Sequence, residues 1–469
     1  MSGELDGLLR LYYRTRSIRR RLGESLGRTA GRRATAVYVV ASDGYCDFAG
    51  PISPHGLAPY LESGCDIERS LWDTRSVLAD IDLDFENFDH SAMAYLEPSR
   101  TLGLTQPACS AACDILGSSG ISPLVLISGR GFHLVWRIAR TSEAFRRLAA
   151  IGRVPPNLSA KYESIRYPGA GCVDPELGQA FAGLGMVLEF VAHRILRMAT
   201  PRTSVPLQVT SIEVGPGATG REIVSIDLSE YGDPLNYRHI RLPFSVYLKP
   251  RKLVWALGKD AVERMLPIFE IPLSGMAIKE ALKIMRNPQE TYALSKHVSA
   301  EIPDQSDGTL ALIEAYCASD LAAFHKRFYS MEEEEARRSV ATMAPTLSDI
   351  PLCARWILDH PNDWLLKPAV LQYLARVLTA LTWHPRAIAE LIRSRYEANP
   401  EWGDCWDRHD ASWRAIFYAR LFTGLIETGC DRFIDLNCVS HREKGYCNIS
   451  DCDGNLVEYR DVLLKRRGQ

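Results

Sequence analysis

Excess charge of either sign is missing from this sequence: 55 Lys and Arg stand against 57 Asp and Glu, a net charge of -2. That excludes a globally basic nucleic-acid coat, though not a locally basic face. Long uncharged runs are missing as well. The longest, such as residues 115–129, are broken by Gly, Ser and Pro. They fall short of the roughly 18 residues that a spanning helix needs, so no membrane span is expected. The opening MSGELDGLLRLYYRTRS has no apolar segment ahead of a small-residue cleavage site, which predicts no secretory signal and a cytoplasmic address. Cysteine is sparse, 12 in 469 residues, far below a disulfide scaffold. What remains is ordinary globular composition, 46% hydrophobic and 24% charged. At about 150 residues per domain, the length predicts two to four domains.

Residues 34–42, 77–82, 124–128 and 133–138 are β-rich and read as buried strands. Residues 106–116, 142–153 and 180–198 read as helices, and a later strand group covers 207–214, 222–228 and 238–248. A mixed α/β domain is therefore predicted over residues 1–275. Residues 286–308 are polar and turn-rich and read as a linker, within a connector spanning 276–345. The acidic run 332–335 reads as a solvated helix start. From 346 to 469 the texture is helical, with Val370, Leu371, Leu374, Leu378 and Leu381 at helical spacing and six of the nine tryptophans.

Three segments carry chemistry. In Ser76-Val-Leu-Ala-Asp80-Ile-Asp82-Leu-Asp84, strand geometry puts the three carboxylates on one face. Like charges so close are unfavourable unless cations neutralise them, and hard ions such as Mg²⁺ favour these oxygens. A solvated edge strand is the bland alternative, and the apolar Val77, Leu78 and Ala79 argue against it. In Ser128-Gly129-Arg130-Gly131-Phe132-His133, glycines allow backbone N–H groups to converge on an anion. Ser128, Arg130 and His133 add donors. A plain hairpin turn explains the glycines equally well. The third segment has Asp227 on a strand, with Asp233 close behind, then Arg238, Arg241, Ser245 and Lys249. Such cations mark either a solvated strand face or, beside a carboxylate site, a triphosphate clamp.

Taken in order, these segments resemble the archaeo-eukaryotic primase superfamily in its primase-polymerase branch. The resemblance covers about residues 35–260. That family carries a strand-borne Asp-x-Asp, a Ser-Gly-x-Gly-x-His-like loop, a later metal-binding Asp and a run touching the triphosphate. Asp80/Asp82, Ser128 to His133, Asp227 and Arg241 to Lys249 match in that order; Tyr247 departs from the His found in many members. The resemblance implies a primase/RRM-like mixed sheet and a template-dependent nucleotidyltransferase. Asp80, Asp82 and Asp227 would hold Mg²⁺ or Mn²⁺. Ser128, Gly129, Arg130, Gly131, His133, Arg238, Arg241, Ser245 and Lys249 would bind the nucleotide. Nucleoside triphosphates and single-stranded DNA template are the implied partners, with a helicase or other replication or repair proteins as further ones.

The late cysteines form a second pattern. Cys353 stands at a helix start, and Cys438, Cys447 and Cys452 follow near the end. This looks like the C-terminal domain of the primase large subunit, an all-α domain closed by an iron–sulfur site. The resemblance implies a [4Fe–4S] cluster on those four residues, with Zn²⁺ the other option for Cys₄. Cys405 and Cys430 compete as ligands. Lys367, Arg386, Arg393, Arg395, Arg408, Arg414 and Arg442, near Trp383, Trp402, Trp406 and Tyr396, are of the kind that can grip single strands, although each tryptophan taken alone reads as core. Nine arginines between Arg10 and Arg33 offer a second basic segment.

Two rivals remain. A haloacid-dehalogenase-type phosphatase also uses Asp-x-Asp after a hydrophobic strand and a strand-ending Ser or Thr. It leaves His133 and the Arg241–Lys249 run without work. A catalytically inactive single-strand-binding protein is disfavoured because unneutralised Asp80 and Asp82 would repel a phosphate backbone.

Overall fold

The computed structural model describes residues 2–28, 33–46, 50–168, 171–210, 221–235, 239–360, 363–399, 402, 406, 409–447, 449, 452 and 454–468. Arg238, Cys405 and Arg408 lie outside the described residues. Among the described residues, nine strands are β1 Val39–Ser42, β2 Asp66–Ser70, β3 Ser76–Asn87, β4 Leu124–Ile127, β5 Gly131–Ala139, β6 Leu207–Val209, β7 Glu222–Asp227, β8 His239–Arg241 and β9 Ile271–Pro272. They form a six-stranded sheet in the order β6-β7-β3-β5-β4-β9 and a three-stranded sheet in the order β1-β2-β8. Only the β6–β7 pair is parallel; the other pairs run antiparallel. The chain is thus a mixed α/β region followed by a helical C-terminal region.

β3 is central in the large sheet and longer than its apolar start predicts. It continues through the acidic residues to Asn87 because both neighbours pair with that half. Helices Pro98–Ser118 and Pro175–Ala199 pack against it. The stretch Pro175–Arg202 is long and apolar enough by composition to cross a membrane, yet 83% of its most apolar window is buried within the fold. It is the core helix of the α/β region.

Two sequence expectations change. The 286–308 stretch contains a helix, Pro288–His297. Asn287 accepts hydrogen bonds from the Gln289 and Glu290 N–H groups, and Pro288 occupies the first turn. Asn-Pro here is a helix start, where the missing proline N–H costs nothing. Most of the 276–345 connector is helical, and it is anchored on the sheet: Trp136 Nε1 donates to Thr309 Oγ1 at 3.1 Å, and Arg137 N to the Pro303 carbonyl at 2.9 Å. Of the strand expected over 238–248, only β8 is a strand. The run 332–335 does open an exposed helix, Glu333–Met343.

Among the described residues, 346–469 contain helices and no strand. The nearly wholly buried helix Ala411–Glu427 packs on Pro368–Ala380 and Pro385–Glu397. It also binds the α/β region through ion pairs between Arg420 and Glu189, with both side chains 0% exposed, and between Arg414 and Asp233. Cutting either pair at one end strands a buried charge.

β3 and β5 approach so closely that Gly131 has no room for a side chain. A Cβ there would lie 1.7 Å from the Leu83 carbonyl oxygen. Gly131→Ala is expected to destabilise the fold by about 1–3 kcal/mol or more, as overpacking of a tight interior does. Gly103 lies exposed in the helix Pro98–Ser118 with nothing within 4 Å of its added Cβ. Gly103→Ala should therefore stabilise by about 0.5–1 kcal/mol. Thermal unfolding of the two variants should shift in opposite directions.

Candidate active site and cysteine cluster

Asp82 faces His133 on β5 and Asp227 on β7 in direct cross-strand register. Opposed residues in antiparallel strands share a face, with Cβ atoms about 4.5–5.5 Å apart. Three strands thus bring His133, Asp82 and Asp227 into one row. Asp80, Asp84 and Glu86 share the Asp82 face along β3 by the period of two.

Two cations meet this acidic row. His133 Nδ1 lies 3.1 Å from Asp80 Oδ2 and its Nε2 lies 3.7 Å from Asp82 Oδ1. Burial lowers the His133 pKa, but the Asp82 and Asp80 charges outweigh it and hold the imidazolium well above its ordinary range. Arg130 pairs with Asp84 and reaches Glu86 at 3.6 Å. Burial raises the Asp84 carboxyl and Arg130 overcomes that, so Asp84 sits below the usual range. Asp82 has only the more distant His133 Nε2 opposite it. Burial, then the Asp84 charge, pushes its carboxyl well up. In addition, Asp80 Oδ1 and Asp82 Oδ1 are buried with no hydrogen-bond partner.

These orphan oxygens, with Asp227 in register, are a hard-oxygen donor set that fits Mg²⁺ or Mn²⁺. Among the described residues, no group of three or more His, Cys, Asp or Glu side chains is gathered at metal-binding distance. His133 and Arg130 hold the carboxylates instead. His133 therefore sits on the carboxylates, where the sequence reading placed it on phosphate. Asp227 accepts from the Ser229 N–H at 2.8 Å and from its hydroxyl at 3.0 Å. Asp233, the competing third acid, is bound by His409, Arg414 and Tyr418 and lies away from the row's register.

The 128–131 loop is a tight hairpin between β4 and β5. The Ser128 hydroxyl accepts from the Arg130 and Gly131 N–H groups at 3.3 and 3.1 Å, so those donors are already used within the turn. Gly129 is required by packing, since a Cβ would fall 2.8 Å from the Tyr247 ring. The phosphate nest expected there is a satisfied hairpin. Arg130 remains oriented toward the site.

Arg241 and Ser245 are also placed differently from expectation. Arg241 is 3% exposed. It donates to both Asp66 oxygens, at 2.7 and 2.9 Å, and to Glu68, with Glu270 at 3.6 Å. The cause is the small sheet: β8 pairs with β2, setting Arg241 opposite Glu68. Burial pushes the Glu270 carboxyl up to about 7. Ser245 is fully buried, its oxygen 3.1 Å from the Tyr13 hydroxyl and accepting from the Ile67 N–H. These residues brace the scaffold.

Lys249, in contrast, is exposed and lines a cleft of about 230 Å³ with Arg130, Lys252, Ser42, Asp66 and Tyr95. Sequence reasoning missed Lys252 and the acids of β2. The missed signal was the alternation in Asp66-Ile-Glu68, obscured because its charges are buried against Arg241.

Cys353 is buried at the start of the helix Leu352–Asp359, its Sγ 3.0 Å from the Tyr373 hydroxyl. Burial raises the Cys353 thiol, and nearby Cys447 and Cys452 raise it further. Burial also raises the Tyr373 phenol, followed by Cys353 and, more weakly, Cys438. Cys438 Sγ lies 3.8 Å from the Gly454 carbonyl and Cys452 Sγ accepts from the Gly454 N–H at 3.3 Å, but among the described residues no three of these thiols are gathered at metal-binding distance, and none is in a disulfide. Such soft donors fit an iron–sulfur cluster or Zn²⁺. Cys430 points instead toward the His193 carbonyl. The stacking surface expected nearby is core: Trp383 is 2% exposed, Trp402 6% and Tyr396 0%. Arg393 is held by Glu390 and Arg414 by Asp233.

Because Asp82 binds its proton more tightly folded than unfolded, its ionised form opposes folding at neutral pH. Asp82→Asn should raise the thermal midpoint in EDTA at pH 7.5 (a pH chosen to lie about three units above the free carboxyl) and lose any midpoint shift with Mn²⁺. A Mn²⁺ shift retained in the variant would remove Asp82 from the metal set. For the cysteines, anaerobic protein should contain about four iron and four sulfide per chain, or about one zinc without sulfide. Free alkylation of all four thiols in the folded protein would discard that site. Comparison of the chain with protein-family models, with curated proteins and with solved structures finds no match in any of the three.

Proposed function

We propose that the chain is a template-dependent nucleotidyltransferase, a DNA primase/polymerase that makes or extends primers from nucleoside triphosphates. The observation that carries this reading is Asp82 in register with both Asp227 and His133, beside a basic cleft containing Arg130 and Lys249. A primase/RRM-like arrangement of the six-stranded sheet belongs to the same proposal.

Asp80, Asp82 and Asp227 would hold the divalent ions. Such ions would neutralise triphosphate charge and make the attacking 3′-hydroxyl a better nucleophile. The chain's own residues do the rest. Arg130 and Lys249 offer their charges to phosphate oxygens in the cleft, while Arg130 stays anchored to Asp84. His133 keeps Asp80 and Asp82 from repelling one another until cations arrive. No protein nucleophile is needed. In the C-terminal region, Cys353, Cys438, Cys447 and Cys452 would hold a [4Fe–4S] cluster or Zn²⁺, tying the first helix of that region to its last segment.

The phosphatase reading requires Asp-x-Asp after a strand. Here Asp80 and Asp82 lie inside β3, which runs on to Asn87 between antiparallel neighbours. Purified protein with single-stranded template, labelled nucleotides and Mg²⁺ or Mn²⁺ should yield extended products. The Asp80→Ala/Asp82→Ala double variant should yield none. Lys249→Ala should raise the nucleotide KM about tenfold, in line with loss of one charge-assisted contact. Product formation by the double variant would overturn the proposal.

A further inference from the structure

Trp255 is 87% exposed. The other eight tryptophans are buried or half-buried. An indole left in water forgoes the free energy that burial of a large apolar side chain supplies. It follows the 3₁₀ turn Lys249–Leu253, in the short helix Val254–Leu257. At three residues per turn, positions three apart stand above one another, so Lys249 and Lys252 share a side of the 3₁₀ turn, and Trp255 follows three residues after Lys252 in the next helix. Both lysines are exposed and line the cleft that contains Arg130. The exposed indole therefore follows directly on the turn that supplies two lysines and Leu253 to this cleft.

We propose that Trp255 is a stacking platform for a base of single-stranded nucleic acid, with Lys252 taking an adjacent phosphate. This rests on the nucleotidyltransferase reading and names the strand-binding surface that it requires. Every base has a π-face, and an aromatic ring beside cations grips a strand without reading its sequence. Charge favours a polyanion over a protein partner here, because Lys249 and Lys252, just before the ring in the chain, are both exposed and line the cleft. The nearby acids Asp260 and Glu263 line a different groove, with Leu8 and Leu11. Of the C-terminal tryptophans, Trp383, Trp402 and Trp413 are packed into the helical core.

The test is fluorescence anisotropy with the full chain in EDTA and without triphosphates. The probe is a labelled oligodeoxythymidylate of about 12 nucleotides, within the span of one strand-binding surface. Trp255→Ala should weaken binding about tenfold, as loss of one base stack does, and Trp255→Phe should restore most of it. The salt dependence should be unchanged in Trp255→Ala, whereas Lys252→Ala should lower its log–log slope by about 0.7. Matching thermal midpoints would show that the variants fold. Equal binding by Trp255→Ala and the unaltered chain would overturn the proposal. So would a change in oligomeric state on Trp255→Ala with no change in binding, which would assign the ring to a second copy of the chain. Neither metal nor triphosphate enters the assay. Trp255-dependent binding without nucleotidyl transfer would therefore overturn the enzymatic reading and leave the strand site standing; transfer with Trp255-independent binding would do the reverse.

Discussion

Four carboxylates on one face of a buried strand must be neutralised, and much of the α/β region is arranged around that requirement. Asp80, Asp82, Asp84 and Glu86 lie in the middle of the large sheet, where water cannot screen them fully. The flanking strands bring His133 and Arg130, which neutralise the two ends of the row and leave Asp82 between them undercompensated. Destabilising charge is retained where a cation would relieve it, which is how strained or repulsive groups come to mark functional sites.

The same logic recurs at a distance with the signs reversed. Arg241 is caged by Asp66 and Glu68, Arg376 by Asp431 and Asp435, and Arg420 by Glu189. Each is a buried cation whose acids come from a different part of the chain. Such clusters give little net stability over an apolar core, but they penalise any arrangement that separates the partners.

The central strands and the Asp80/Asp82 pair were legible in the sequence because apolar runs and period-two carboxylates are local signals. The pairing of Asp82 with His133 and Asp227 agreed with the motif order, although register itself is a property of three separated segments. What was illegible depended on partners. Arg241 has the same local sequence whether it faces solvent or sits opposite Glu68, and only β2 decides between them. Asn287-Pro288 spells a turn and a helix start equally well until the residues after it pack. Trp383, Tyr396, Trp402 and Arg414 matched a nucleic-acid surface in composition, yet burial turned them into core. Trp255 attracts no notice in the sequence, since exposure is what distinguishes it.

Asp227 and Asp233 are separated by one short helical turn, Ser229–Gly232. The first belongs to the acidic row. The second is gripped by His409, Arg414 and Tyr418 of the C-terminal helices, and Trp413 Nε1 donates to the Tyr231 carbonyl between them. The helical region is thus a clamp on one leg of the candidate catalytic centre. A protein ending at residue 345 would keep every carboxylate of the centre and still leave Asp233 buried without Arg414, at a cost of about 3–5 kcal/mol. The minimal stable unit of this protein is therefore larger than the sheet that bears its acidic row.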